Sequence, residues 1–191
     1  MSSMVKVFKL VIAGPYGAGK TTFVKTLSEV VPIETDVPAP GKSTTVAFDY
    51  GKIRVNDIVV HLFGIPGQER FNFLWRIIAR GMHAYIFMVD SSSLESVKSA
   101  IFMYNYFTST FPTTPHVVAA NKQDIAKVDI NNVRMILGVK PDIKVVPLIA
   151  INKKMVLETL VVLLDEVHRL MYGSSFQQGN SHGTGNEKAL M

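Results

Sequence analysis

The chain has 191 residues, no cysteine and a net charge of +5 at pH 7, and 48% of its residues are hydrophobic. This length and composition predict one globular domain, and the lack of cysteine excludes disulfide bonds and thiolate metal sites. The basic residues are scattered along the chain, so we expect a solvated surface and no nucleic-acid partner.

Targeting signals are not evident in the sequence. It has no pattern typical of a secretory leader or a membrane-spanning helix. Without cysteine there is no site for prenyl or palmitoyl groups, and Ser2 stands where myristoylation needs glycine. We therefore expect a cytoplasmic protein with no lipid anchor and at most a peripheral association with membranes.

A strand, a glycine-rich loop and a helix come first along the chain. Residues 5–13 are mostly apolar, as in a buried parallel strand, and residues 22–30 repeat apolar side chains at helical spacing. Between them, residues 14–21 match the phosphate-binding pattern G-x-x-x-x-G-K-S/T at every fixed position. Backbone N–H groups of such a loop cradle phosphates, the Lys20 ammonium reaches the outer phosphates, and the Thr21 hydroxyl can ligate Mg²⁺. The predicted phosphate-binding residues are Gly14, Tyr16, Gly17, Ala18, Gly19, Lys20, Thr21 and Thr22.

A loop and a hairpin are predicted next. Residues 31–43 contain three prolines and a glycine, which predicts a loop long enough to have a function. Strand character runs from Thr44 to Val55, and a change of phase at Gly51 predicts a bulge there. Asn56–Asp57 can form a tight turn, so residues 58–63 are predicted to return as the second strand of a hairpin.

The rest of the chain alternates helices and strands. Helices are predicted over 71–80, 94–108, 130–137 and 152–172, and strands over 84–89, 116–120 and 143–149. Residues 174–191 are rich in Ser, Gly, Asn and Gln and are predicted to be a disordered tail, so the domain is expected to cover 1–173. This order predicts an α/β fold, with a six-stranded, mostly parallel sheet, one antiparallel strand and helices on both faces.

A second motif, Asn121-Lys122-Gln123-Asp124, follows a predicted strand and fits the pattern N-K-x-D. A carboxylate at Asp124 can accept from both the ring N–H and the exocyclic amine of guanine, and adenine offers no such pair of donors. Asn121 can tie this loop to the phosphate loop, and the Lys122 stem can cover the base. A plain polar loop after a strand is the alternative, but the motif and the phosphate loop together predict selection of GTP over ATP.

With these motifs, the chain resembles the Ras-like small GTPases of the P-loop NTPase superfamily over residues 5–172. Residues 44–51 and 63–71 are most similar to the prokaryotic Ras-like group, which includes gliding-motility and cell-polarity GTPases. The resemblance implies GTP/GDP as ligand, Mg²⁺ as cofactor and a partner of the roadblock type, acting as an activating or scaffolding protein.

The resemblance also implies roles for residues outside the two motifs. Thr45 would ligate Mg²⁺ in the GTP state, with Thr44 as the other candidate. The Gly67 N–H would meet the γ-phosphate, and Gln68 would orient the attacking water. Ala150 would offer its backbone N–H to guanine.

The sequence departs from the family pattern at one position that usually helps to bind Mg²⁺. Gly64 stands where the family usually has an aspartate that holds Mg²⁺ through water. Metal affinity is then expected to be lower, or another carboxylate must substitute. Asp90 ends a neighbouring strand, but we interpret it as a structural or capping residue.

Other departures concern the loops around the nucleotide. Tyr16 stands where most family members have glycine, and its side chain could obstruct an arginine finger from a partner. Pro66 stiffens the loop that contains Gly67. Ile149 and Ile151 replace more polar residues, so only the backbone role of the intervening alanine is carried over.

The leading hypothesis is a GTP/GDP switch with slow, Mg²⁺-dependent hydrolysis, in which Gln68 and Lys20 are catalytic and a partner accelerates the reaction. The alternative is a GTP-binding interaction module that hydrolyses no GTP without a partner, and Tyr16 and Gly64 motivate it. A P-loop nucleotide kinase is the third possibility, although the guanine-type motif and the lack of an arginine-rich lid argue against it.

Overall fold

The computed structural model describes residues 6–30, 33–38 and 45–172, with the backbone alone for 33–38, 45–47 and 172. These residues form one sheet with helices on both faces. The strands are β1 (Lys6–Ala13), β2 (Ile33–Pro38), β3 (Thr45–Val55), β4 (Ile58–Gly64), β5 (Ala84–Asp90), β6 (His116–Asn121) and β7 (Val145–Pro147). The helices are α1 (Lys20–Leu27), α2 (Asn72–Ala79), α3 (Leu94–Ser99), α4 (Ile101–Thr110), α5 (Ile130–Leu137) and α6 (Lys153–Tyr172), and a 3₁₀ turn, Glu69–Phe71, precedes α2.

The strand order in the sheet is β2-β3-β4-β1-β5-β6-β7. Strands β4, β1, β5, β6 and β7 are parallel, and β3 is antiparallel to β4. The predicted fold class is therefore confirmed. Strand β2 adds a seventh strand at the edge, antiparallel to β3, within the stretch that was predicted to be a loop. Its proline, Pro38, is compatible with this place because an edge strand leaves one row of backbone groups unpaired.

The central strand β1 is buried on both faces. Leu10 and Ile12 belong to the cluster packed against α1 and α6, whereas Val11 and Ala13 belong to the cluster packed against α2 to α5. All four side chains are fully buried. The continuous apolar run in this part of the sequence follows from burial on two sides.

The predicted bulge at Gly51 is wrong, because β3 and β4 form a regular antiparallel ladder with no inserted residue. A Cβ at this glycine would lie 2.9 Å from side-chain atoms of both Val24 and Ser28 on α1. The glycine therefore allows α1 to pack closely on the hairpin. The apolar phase changes because Phe48 and Ile53 lie on opposite faces of β3.

Several predicted boundaries differ from the structure. The helix predicted over 94–108 is divided at Ala100 into α3 and α4, and Ser93 caps α3 by accepting from the Ser96 N–H. The last predicted strand is shorter than expected, since only residues 145–147 pair with β6. The predicted tail, 174–191, lies outside the described residues. Across the described part of the chain, no helix is long and apolar enough to cross a membrane.

Candidate nucleotide-binding site

The phosphate loop joins β1 to α1 at the carboxyl edge of the sheet. Gly17 and Gly19 have φ angles of 79° and 95°, in the left-handed region that favours glycine. A Cβ at Gly19 would lie 2.3 Å from Nδ2 of Asn121, so the loop is packed directly against the second motif. The first turn of α1 begins at Lys20, which directs its backbone N–H groups to the same place.

Lys20 lies within this loop and is only 8% exposed. Its Nζ donates to the Pro15 carbonyl at 2.7 Å. Burial lowers the pKa of Lys20 to about 8, against the opposite effect of the nearby Asp49 carboxylate. The ammonium is thus held inside the loop, where a bound phosphate would restore the favourable surroundings that burial removes.

Asn121 connects three loops through one buried side chain, which is 3% exposed. Its Nδ2 donates to the Ala18 carbonyl at 2.8 Å, and its Oδ1 accepts from the Ala150 N–H at 2.9 Å. The Thr26 hydroxyl donates to the Ala150 carbonyl at 2.8 Å. The phosphate loop, the N-K-x-D loop and the loop after β7 are thereby held together.

Lys122 and Asp124 occupy the turn that follows β6. Lys122 has a φ of 63°, which is unusual for a residue with a side chain. Its Nζ lies 2.5 Å from Oδ2 of Asp90, whose Oδ1 accepts from the Ser92 N–H at 2.9 Å. Burial alone would raise the pKa of Asp90, but these hydrogen bonds hold it below its usual value. Asp90 therefore anchors Lys122, while Asp124 is exposed on the same turn.

Gly67 lies against the phosphate loop. A Cβ at this position would be 2.3 Å from the Pro15 carbonyl carbon and 2.4 Å from the Tyr16 nitrogen. Only a glycine allows this approach of the two backbones. Tyr16, on the loop that Gly67 contacts, is 79% exposed.

Gln68, the predicted water-positioning residue, has a partner within its own loop. Its Oε1 accepts from Arg70 Nε at 2.7 Å. The loop is fixed to α2, because Trp75 Nε1 donates to the Pro66 carbonyl at 2.8 Å. In this arrangement Gln68 is paired with Arg70, a contact that sequence reasoning did not anticipate.

Thr45 begins β3 and lies opposite Pro38 of β2. Its side chain, and the whole of Thr44, lie outside the described residues. At about 3.3 Å per residue, the Cα of Thr45 is about 13 Å along the strand from that of Asp49. The structure therefore does not bring Thr45 to the part of the site that contains Thr21.

Asp49 is a site residue that the sequence analysis did not identify. Its Oδ2 accepts from the Thr21 hydroxyl at 2.6 Å. A hydroxyl and a carboxylate, together with phosphate oxygens, are the hard oxygen ligands that Mg²⁺ prefers. The described residues contain no group of three or more His, Asp or Glu side chains that could hold a metal ion without a nucleotide. The residues at Thr21 therefore fit a magnesium ion that is shared with a nucleotide.

A family model matches the part of the chain that contains the phosphate loop and the N-K-x-D loop, and two relatives are similar to part of the chain. The model of the ADP-ribosylation factor family matches residues 1–169. An uncharacterised protein of Methanocaldococcus jannaschii is 27% identical over 125 residues, which cover 65% of this chain and 76% of that protein. ADP-ribosylation factor-like protein 10 of Mus musculus is 28% identical over 118 residues, 62% of this chain, and the match spans 46% of the mouse protein. The chain belongs to the ADP-ribosylation factor family of Ras-like, P-loop small GTPases.

Proposed function

We propose that this chain is a GTP/GDP switch that hydrolyses GTP slowly and in the presence of Mg²⁺. Members of its family are small GTPases that bind GTP and GDP, typically with Mg²⁺. The observation that carries the proposal is the convergence of the phosphate loop and the guanine-type loop on Asn121, whose side chain bonds to Ala18 and Ala150. Such a site holds a phosphate chain and a base at a fixed separation.

The base would be selected by Asp124, whose carboxylate accepts two hydrogen bonds from guanine. Lys122 would cover the base with its aliphatic stem, since the Asp90 carboxylate holds its ammonium. The Ala150 N–H donates to Asn121 in this structure. We therefore extend the proposal to Ile151, the next residue of the same turn, as a second candidate for a backbone bond to guanine.

The phosphates would be held by Lys20 and by the N–H groups of the phosphate loop. Mg²⁺, when bound, neutralises charge on the phosphate oxygens. Thr21 would hold the ion, and Gly67, already in contact with the phosphate loop, would offer its N–H to the γ-phosphate. For Gln68 to orient a water molecule, its Oε1 must first leave Arg70.

Switching would involve the edge of the sheet. Thr45 can join Thr21 at the metal only if the start of β3 leaves its pairing with Pro38 of β2. Binding of GTP would therefore be coupled to a change at β2 and β3, and loss of the γ-phosphate would restore the pairing.

An exposed aromatic residue at the surface of the site supports slow hydrolysis and dependence on a partner. The exposed Tyr16 stands beside Gly67, where an arginine supplied by a partner would have to enter. We propose a partner of the roadblock type and a place near the prokaryotic motility and polarity GTPases, both of which the resemblance of residues 44–51 and 63–71 implies. We also propose a cytoplasmic location, as expected from the lack of evident targeting signals. The switch would be one domain, residues 1–173.

The alternative function is a GTP-binding module that hydrolyses nothing by itself, and the pairing of Gln68 with Arg70 favours it. A single turnover separates the two. Protein loaded with GTP is followed by chromatography of the nucleotide, with and without Mg²⁺, alongside Gln68→Leu. The switch is supported if GDP forms slowly, if its formation depends on Mg²⁺, and if Gln68→Leu lowers the rate even more. GTP that stays intact for hours supports the module, and failure to retain GTP contradicts both.

A further inference from the structure

Gly64 and Asp49 lie directly opposite each other in the ladder between β4 and β3. Because the strands are in register, substituents at these two positions project from the same face of the hairpin. A Cβ at Gly64 would lie 3.0 Å from both the Cβ and Oδ2 of Asp49. An aspartate at position 64 and the observed Asp49 side chain would therefore compete for one space.

The backbone gives no other reason for a glycine at position 64. Its φ angle is not in the positive region, unlike those of Gly14, Gly17 and Gly19. Any residue could adopt this backbone conformation. The glycine is therefore explained by the space that the Asp49 side chain occupies.

The Asp49 carboxylate also reaches the position where the metal is expected. Its Oδ2 accepts the hydrogen bond of the Thr21 hydroxyl, the oxygen that the phosphate-loop pattern assigns to Mg²⁺. An ion held by that oxygen would lie beside this carboxylate. The Asp49 carboxylate also interacts electrostatically with the Lys20 ammonium, the cation of the phosphate-binding loop.

We infer that Asp49 provides the Mg²⁺-holding carboxylate that Gly64 cannot supply, from the opposite strand of the hairpin. The inference rests on the proposed Mg²⁺-dependent binding of GTP and GDP. Mg²⁺ in phosphate sites is bound by one or two protein carboxylates or hydroxyls together with phosphate oxygens and water. Asp90 does not supply this carboxylate, because its two oxygens are bonded to Lys122 and Ser92.

A purely structural role is the alternative, in which Asp49 serves only to accept the Thr21 hydrogen bond. Asp49→Asn separates the two roles, since an amide oxygen still accepts from a hydroxyl but carries no charge. The matched control is Asp57→Asn, which removes an exposed carboxylate from the turn at the other end of the same hairpin.

The test measures release of a fluorescent GDP from the full chain as free Mg²⁺ is varied. For Asp49→Asn, the Mg²⁺ concentration that half-maximally slows release should rise about 10- to 100-fold. The control Asp57→Asn should match the wild type both across the Mg²⁺ titration and in excess EDTA. An unchanged Mg²⁺ midpoint in Asp49→Asn would contradict the inference.

A second variant moves the carboxylate across the ladder. Asp49→Gly combined with Gly64→Asp places it on β4, and its Mg²⁺ midpoint should return toward the wild-type value. If the double variant needs as much Mg²⁺ as Asp49→Gly alone, a carboxylate at position 64 does not replace Asp49. If the double variant does not fold, the result for Asp49→Asn decides whether Asp49 holds Mg²⁺. Wild-type release that is independent of Mg²⁺ would instead overturn the proposed function itself.

Discussion

Recognition at the residue scale depends on charged side chains whose positions are set by neighbours. Lys20 is buried in the phosphate loop and donates to a backbone carbonyl, whereas Lys122 is held by Asp90. Asp124 is exposed on the turn beside Lys122. The ammonium that would bind phosphate and the stem that would cover the base are thus held before the ligand arrives, which lowers the entropy lost on binding.

The first prediction concerns the choice of base. Asp124→Asn replaces a carboxylate that accepts two hydrogen bonds with an amide that accepts one and donates one. GDP binding should weaken by at least about 30-fold. Xanthosine diphosphate, which has a carbonyl in place of the exocyclic amine, should become the better ligand. Competition of both nucleotides against fluorescent GDP measures this, and a retained preference for GDP would remove Asp124 from base recognition.

The second prediction follows from the pKa of Lys20, about 8 before a nucleotide binds. Binding of phosphate favours the charged form, so GDP binding at pH 8 should take up about half a proton, and GDP affinity should fall as the pH rises above 8. Calorimetry in two buffers with different ionisation enthalpies measures the uptake. Lys20→Arg stays charged and should take up none at pH 8. Equal uptake by the two proteins would show that another group is responsible.

At the element scale, the hairpin of β3 and β4 decides which residues reach the site. Because β3 is antiparallel, its first half lies at the carboxyl ends of β4 and β1, beside the phosphate loop. The predicted turn at Asn56–Asp57 is enough to set the pairing of the two strands. Counting outward along both strands from this two-residue turn pairs Asp49 with Gly64. The mistaken bulge at Gly51 shifted the register by one residue and hid the pair.

The third prediction concerns the side chain that joins the loops. Asn121→Ala leaves the Ala18 carbonyl and the Ala150 N–H without their present partner. The free energy of unfolding should fall by about 1–3 kcal/mol for each buried group left unsatisfied, and GDP should dissociate faster. Urea denaturation of the nucleotide-free protein measures the loss. Gln123→Ala removes one hydrogen bond of 3.2 Å, to the Ala120 carbonyl, from the same loop and should lower the free energy of unfolding less. Equal losses of stability in the two variants would contradict the role of Asn121 in joining the loops.

For the molecule as a whole, the sequence was sufficient for the fold class, because the order of elements and the two motifs are local patterns. The packing of Gly19 against Asn121 brings those motifs together in space. Strand β2, the Asp49–Thr21 bond and the pairing of Gln68 with Arg70 could not be predicted in the same way. Each depends on which surfaces meet in the folded chain, and the proline-rich composition of 31–43 favoured a loop.

As a GTP/GDP switch, this molecule would change its arrangement in response to the γ-phosphate. Amide hydrogen exchange of the full chain, compared between the Mg²⁺ complexes of GDP and a non-hydrolysable GTP analogue, tests it most directly. Exchange should be slower in residues 64–68 and altered in β2 and the first half of β3 with the analogue, while α5 stays the same. Identical exchange in both complexes would contradict a switch and leave a protein that binds guanine nucleotides without responding to the γ-phosphate.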